Sequence, residues 1–255
     1  MTPPQRIVLA IVGFLGGLLA AGIVASLVVA AGGWELSVPA TIGSEAGRAV
    51  SQIGQGAPLD DFRVPAAFLV VMNAPLWLGL VGAPLWARRR GLDWKRDLGW
   101  SMTKTDVPVG LAIGVVAQFA LIPLYELIFI VFEPQDVGAP ARSLVASVDG
   151  PLDLVGLLIV TVIAAPITEE IVYRGLLFGG IRDMERGHVG SGVVIAAVVS
   201  SVIFAASHFQ LIQFPGLLVF GLIAAAVFHR TGRLGTAIWA HVGFNLTTVL
   251  LLLAG

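Results

Sequence analysis

The sequence contains no cysteine, so disulfides, thiolate metal sites and cysteine nucleophiles are excluded. Charge is nearly as scarce. Asp, Glu, Lys and Arg make up 12% of the 255 residues, against roughly 25% in soluble domains. That poverty excludes a disordered chain, a partner held by basic charge such as a nucleic acid, and an ordinary water-soluble enzyme. Strands of the short alternating kind that build membrane barrels are missing as well. What the chain has instead is apolar surface: 57% hydrophobic residues and a mean hydropathy of +0.92. It reads as an integral membrane protein.

A spanning helix needs about 20 mostly apolar residues, and helices satisfy their own backbone in lipid. Seven segments qualify: Ile7–Gly33, Val64–Ala87, Val107–Phe132, Leu152–Phe178, Gly190–Phe209, Gly216–Phe228 and Thr236–Ala254. The expected fold class is therefore all-α, a polytopic membrane helix bundle of about seven transmembrane helices. The first segment is longer than the apolar core of a signal peptide and reads as a retained anchor. Its Gly13-x-x-x-Gly17-x-x-x-Ala21 ladder suits close helix packing. An eighth element has two candidates. Leu92–Met102 places Trp94 and Trp100 among charges, as an interfacial helix does, and part of the long Trp34–Phe62 connection is the other. The whole chain, 1–255, reads as one membrane domain, with its chemistry within about 150–250.

The cations orient the bundle. Arg6, Arg88, Arg89, Arg90, Lys95, Arg96, Lys104, Arg174, Arg182, Arg186, Arg230 and Arg233 fall on one side, and Arg48, Arg63 and Arg142 on the other. By the positive-inside rule the N-terminus is cytoplasmic, the C-terminus lies outside, and the membrane is the cell membrane.

Ionisable groups inside a span are expensive and point to function. In the fourth segment apolar residues continue past Glu169, Glu170 and Arg174. With about 100° per residue, Arg174 lies on the Glu170 side of the helix, and an i,i+4 pair neutralises Glu170. Glu169 points elsewhere, without a partner on its own helix, and is free for acid–base work. A buried ion pair marking a helix end is the plain alternative. The fifth segment ends in Phe204-Ala205-Ala206-Ser207-His208, and in the seventh His241 and Asn245 share a face. His188 and His229 fall in charged turns and read as solvated. Glu126 reads as interfacial, and Asn73 as a helix–helix hydrogen bond.

Glu169-Glu170-x-x-x-Arg174, Phe204-x-x-x-His208 and His241-x-x-x-Asn245 together resemble the three motifs of the CPBP intramembrane proteases. That family includes the type II CAAX prenyl endopeptidases and the bacteriocin-immunity and abortive-infection membrane proteins. The resemblance covers about residues 150–250, and it departs from the eight-helix endopeptidases in its count of seven spans. It implies an intramembrane endopeptidase acting on a peptide or membrane-protein substrate. Glu169 would be the general base, with His208 holding the water. His241 and Asn245 would be oxyanion donors, while Glu170 and Arg174 lock the helix. The metal-dependent variant of the same resemblance would have Glu169, His208 and His241 bind a divalent ion, zinc by preference, although no His-Glu-x-x-His is present. A shortened sixth helix would let the Phe209–Pro215 connection dip inward and bring His208 near mid-membrane, beside a water-filled cavity open to the cytoplasm. Two other classes compete. One is a non-proteolytic scaffold or immunity protein with the same motifs. The other is a proton-relay transporter, disfavoured because no internal repeat is found.

Overall fold

The computed structural model describes residues 1–30, 66–146, 148, 150–185 and 191–254. Arg48, Arg63, Arg186, His188 and the Trp34–Phe62 connection lie outside them. The described residues fold as helices without strands: α1 (Pro3–Ala30), α2 (Ala66–Arg88), α3 (Trp94–Leu98), α4 (Asp106–Phe129) and α5 (Ala139–Ala146). The continuous α6 (Pro151–Met184), α7 (Ser191–Ala206), α8 (Phe214–Thr231) and α9 (Leu234–Ala254) follow. Pro3–Val24 within α1, and α4, α6, α8 and α9, are long and apolar enough to cross a membrane, and α7 is a shorter apolar helix. Leu19, Leu78, Val116, Leu127, Val131 and Leu152 stand exposed on the outside. Such a coat suits lipid and not water. The protein is a polytopic helical membrane bundle.

Burial of apolar surface gives little drive inside lipid, so helices approach through small residues. The ladder on α1 does this against α2. A methyl group on Gly17 would lie 2.7 Å from the Leu76 carbonyl oxygen, and one on Gly79 2.5 Å from that of Gly13. The same contact joins α4 to α9, where a methyl on Gly114 would run into the backbone of Ala240 and Phe244. That seam matters because α9 carries His241.

Polar clips close one end of the bundle. Asp106, buried at the start of α4, takes the Arg233 guanidinium (Nη2 at 2.6 Å) and the Thr236 hydroxyl at 2.6 Å. Leu234 and Gly235 donate backbone N–H groups to the carbonyls of Gly99 and Ser101. Arg6 is buried at the foot of α1, where it donates to the Asp97 carbonyl at 2.8 Å and pairs with Asp183 at the end of α6. Burial works to raise the Asp97 carboxyl, but Arg96, the Asp93 N–H and the N-terminal ammonium hold it at about 2. These contacts gather Arg6, Lys95, Arg96, Lys104, Arg182 and Arg233 at one end, as the charge tally requires.

Three expectations change. The sixth segment is not short: α8 runs over 18 residues from Phe214 to Thr231 and is long enough to span, and the shorter apolar helix is α7. Leu92–Met102 supplies only the five-residue α3, far too short to span; Asp93 caps it, Gly99 ends it at φ 70°, and Leu98 is buried against Gly175. Arg174 does not belong to the rim cations, because it is fully buried inside the bundle.

Candidate active site

The site grows out of α6, a 34-residue helix with two wide turns, at Ile159–Ala164 and Ile171–Phe178, where the backbone adopts π-helical pairing. Between them lies the segment Ala165–Glu170. Proline explains the first. Pro166 has no N–H to give, and its ring crowds the preceding turn. Ala165 N–H reaches back to the Val160 carbonyl, five residues away. The Thr161 carbonyl is left without a helical donor. Asn245 Nδ2 from α9 fills that place at 2.7 Å.

Glu170 lies at the centre, with no exposed surface. Its Oε1 accepts from Arg174 Nη1 at 2.8 Å and from His241 Nδ1 at 2.9 Å. The helical wheel anticipates the first contact; the second joins α6 to α9 and is decided by packing alone. Arg174 is fixed further by donating to the Gly221 carbonyl at 3.2 Å and by lying 4.7 Å over the Phe204 ring. Cation–π contact of this kind gains strength when desolvated.

Glu169 faces away from Arg174. Its Oε2 is buried, lies 3.9 Å from His241 Nε2 and has no hydrogen-bond partner among the described residues. That separation is too long for a direct hydrogen bond. Because a carboxylate only accepts, the His241 proton shared with Glu170 sits on Nδ1, and a neutral ring presents a bare Nε2 towards Glu169.

His208 arrives by a different route. Helix α7 stops at Ala206, and the chain turns through Ser207, His208 and Phe209, the last at φ 54°. His208 Nδ1 donates to the Phe204 carbonyl at 2.8 Å, which again leaves Nε2 bare. The same carbonyl accepts from Ser207 Oγ at 2.7 Å, and Ser207 Oγ accepts from the Tyr173 hydroxyl at 2.7 Å. The Phe204 ring is shared. His208 and His241 pack edge-on against it, with centroids at 4.8 Å and 5.7 Å. Arg174, His208 and His241 thus gather around the Phe204 ring, with Glu170 bonded to Arg174 and His241 and Glu169 3.9 Å from His241, while Asn245 sits apart at Thr161. Beyond the turn, Tyr125 of α4 holds the Ile212 carbonyl at 3.1 Å.

Three features of this arrangement are not read from the sequence. The Tyr173–Ser207 anchor has no motif signal. The Asp106 clip has one, since Thr103-x-x-Asp106 is a capping-box spacing, and Thr103 N–H does meet Asp106 Oδ2 at 2.6 Å. Asn245 has one too: a proline within an apolar run warns of an orphaned carbonyl. Asn245 therefore has a structural task beside the donor role that the resemblance implies, and one of its two amide hydrogens is committed to Thr161.

The metal-dependent variant fits less well. Among the described residues no three His, Cys, Asp or Glu side chains gather closely enough to share an ion. Glu169, His208 and His241 do not form the zinc set that the variant needs. The two bare Nε2 atoms are ligand-competent chemically, but the geometry does not converge them with Glu169 on one point.

Two outcomes follow from these contacts. Removing one partner of a buried pair strands the other charge and typically costs 3–5 kcal/mol. Arg174→Ala lowers the thermal melting point in detergent by that order, and adding Glu170→Gln restores part of it. Asn245→Ala leaves the Thr161 carbonyl unpaired, a loss of about 1–3 kcal/mol by the same melt. Asn245→Asp puts a carboxylate, which cannot donate, against that carbonyl, and falls at least as far.

The comparisons with known proteins single out the same stretch. Residues 151–247 match the family model of the type II CAAX prenyl endopeptidase Rce1-like proteins. The Bacillus subtilis (strain 168) protein named "Putative membrane peptidase YdiL" is 31% identical over 95 residues, which is 37% of this chain and 36% of that protein. The match thus spans about a third of the length of that curated relative. No solved structure matches the chain. The matched segment, which carries Glu169, Glu170, Arg174, His208, His241 and Asn245, is thus similar over its length to the Rce1-like type II CAAX prenyl endopeptidases and to a protein named as a membrane peptidase.

Proposed function

We propose that the protein is an intramembrane endopeptidase that cleaves a peptide or membrane-protein substrate with a water activated by Glu169. The observation that carries this reading is the Glu169 Oε2 atom. It is buried and unpartnered, and it faces a histidine nitrogen in a segment of a peptidase family. A buried carboxylate with a free oxygen is suited to take a proton within hydrogen-bond reach. Water between Glu169 Oε2 and the bare His208 Nε2 would have two acceptors for its two protons, and its lone pair would be aimed at a scissile carbonyl.

Glu169 takes the proton as the water oxygen attacks, and negative charge moves onto the carbonyl oxygen. His241 meets that charge as an Nε2 donor when its ring has taken a proton from solvent before the attack, and it keeps that proton through the turnover; Glu170 on Nδ1 stabilises the imidazolium. Arg174 holds Glu170 in place. The second amide hydrogen of Asn245 is the further donor. Collapse of the tetrahedral intermediate breaks the C–N bond, and the proton held by Glu169 passes to the leaving amine. Preorganised donors of this type contribute about 3–4 kcal/mol each in the transition state. We assign the cation-rich end of the bundle to the cytoplasm of the cell membrane, with water reaching the site from that side.

The deciding assay uses the purified chain in lipid vesicles, a mixed library of prenylated and unmodified membrane-anchored peptides, and mass spectrometry of new termini. Wild type yields products and Glu169→Gln yields none, while both melt alike. His241→Ala loses about 10²–10³-fold in rate. Equal product patterns for wild type and Glu169→Gln overturn the reading in favour of a scaffold.

Orientation has its own measurement. The native chain lacks cysteine, so single substitutions label cleanly. In intact cells an impermeant maleimide reaches Ser143→Cys and not Ser101→Cys; the reverse pattern inverts the topology.

A further inference from the structure

The segment that joins α2 to α4 has an unusual balance. Residues 86–104 carry Arg88, Arg89, Arg90, Lys95, Arg96 and Lys104 against only Asp93 and Asp97, in a chain whose net charge is −1. Both acids are already engaged, Asp93 on the surface and Asp97 half-buried. Asp93 Oδ1 accepts the Arg96 N–H at 2.9 Å as the cap of α3. Asp97 is occupied by the Asp93 N–H, the Arg96 guanidinium and the N-terminal ammonium. Arg88, Arg89, Arg90, Lys95 and Lys104 are exposed, and no ion pair engages them among the described residues.

The backbone enforces that display. The Ala87 carbonyl accepts from Arg90 N–H at 2.8 Å and from Leu92 N–H at 3.1 Å, and Gly91 takes φ 94° to close the turn. Ala87 and Leu92 are thereby driven into the core, and the three arginines between them are extruded together. Aromatic surface adjoins them. Trp86 is 55% exposed and lies 4.8 Å beneath the Arg90 guanidinium, while Trp100 is 40% exposed and packs edge-on to Trp94. Trp94 Nε1 donates to the Pro84 carbonyl at 3.3 Å, which ties α3 and its tryptophans to the end of α2.

We propose that this collar is a binding site for the headgroups of anionic phospholipids. Phosphodiester oxygens would accept from Arg88, Arg89, Arg90 and Lys95, and the rings of Trp86 and Trp100 would rest at the acyl boundary. The segment runs directly out of α2 and into the spanning helix α4, so it is held at headgroup depth, where exposed tryptophans settle. Clusters of four or more cations next to a span attract anionic lipid. A zwitterionic headgroup brings its own cation and satisfies the collar less well. An acidic peptide shares the charge but leaves the exposed indole faces unexplained. The inference is independent of the peptidase reading.

The full chain, purified in mild detergent, is melted with added dioleoylphosphatidylglycerol or dioleoylphosphatidylcholine, and retained lipid is counted by native mass spectrometry. Phosphatidylglycerol raises the melting point more and stays bound in preference. Arg88→Gln/Arg89→Gln/Arg90→Gln, which melts like wild type without lipid, loses that preference by about tenfold or more, each cation being worth up to about fivefold. Rising salt erases it in wild type. Equal response to the two lipids, a preference that survives the triple substitution or salt, or displacement of the lipid by an oligoglutamate peptide overturns the proposal. Should the triple variant misfold, Lys95→Gln/Lys104→Gln and the salt titration of wild type decide.

Discussion

One carboxylate oxygen organises the polar interior of this bundle. Glu170 Oε1 accepts from Arg174 on its own helix and from His241 on α9, with every partner buried. A charge in that setting is tolerated only while its partners stay in place. The pairing therefore constrains more than itself. It sets the rotation of α6, fixes the depth of α9 against it, and decides which His241 nitrogen carries a proton. Glu169, one residue earlier, is turned out of this network by the helix itself. Two adjacent acids with the same side chain thus acquire different surroundings from a rotation of about 100°.

The irregular backbone of α6 belongs to the same construction. Pro166 and the wide turn before it free a carbonyl in the middle of an apolar bundle, where no water replaces the lost donor. Asn245 supplies the donor from α9. Alpha-helical geometry is given up locally, and the repair is made between helices. The result is a second bridge from α6 to α9, nine residues before Glu170 on α6 and one turn after His241 on α9, and its origin is a single proline. Wide turns of this kind recur at functional sites because they rotate side chains out of ordinary helical phase.

Neither bridge would hold if α9 were free to slide. Gly114 on α4 lets the backbone of α9 approach closer than any larger residue would allow, and Asp106 with Arg233 and Thr236 pins the entry of α9 about one and a half turns before His241. At the other edge, Arg6 ties the foot of α1 to α3 and to the end of α6. In lipid, where apolar side chains gain little by touching one another, such close backbone approaches and desolvated polar pairs carry the specificity of packing. The lipid-facing coat of leucine, isoleucine and valine is permissive by comparison.

Composition and hydropathy alone determined the all-helical membrane architecture, because lipid leaves helices of spanning length as the economical choice for a chain this apolar. Helical periodicity alone paired Glu170 with Arg174 and set Glu169 apart, since that relation is local to one helix. The Gly13 and Gly17 ladder was legible for the same reason. Contacts between helices were not. That His241 answers Glu170, that Asn245 repairs Thr161, that Tyr173 and Ser207 anchor the turn bearing His208, and that Phe204 lies between the two histidines all depend on how α6, α7 and α9 cross. Arg174 could be counted with the rim cations from its place in the sequence, but only tertiary packing buried it. Leu92–Met102 carried the composition of an interfacial helix, yet Asp93 and Gly99 stop α3 after five residues. Sequence fixes which groups are polar within each helix; the crossing of helices decides which of them meet, because partners remote in sequence come within hydrogen-bond range only when the bundle closes.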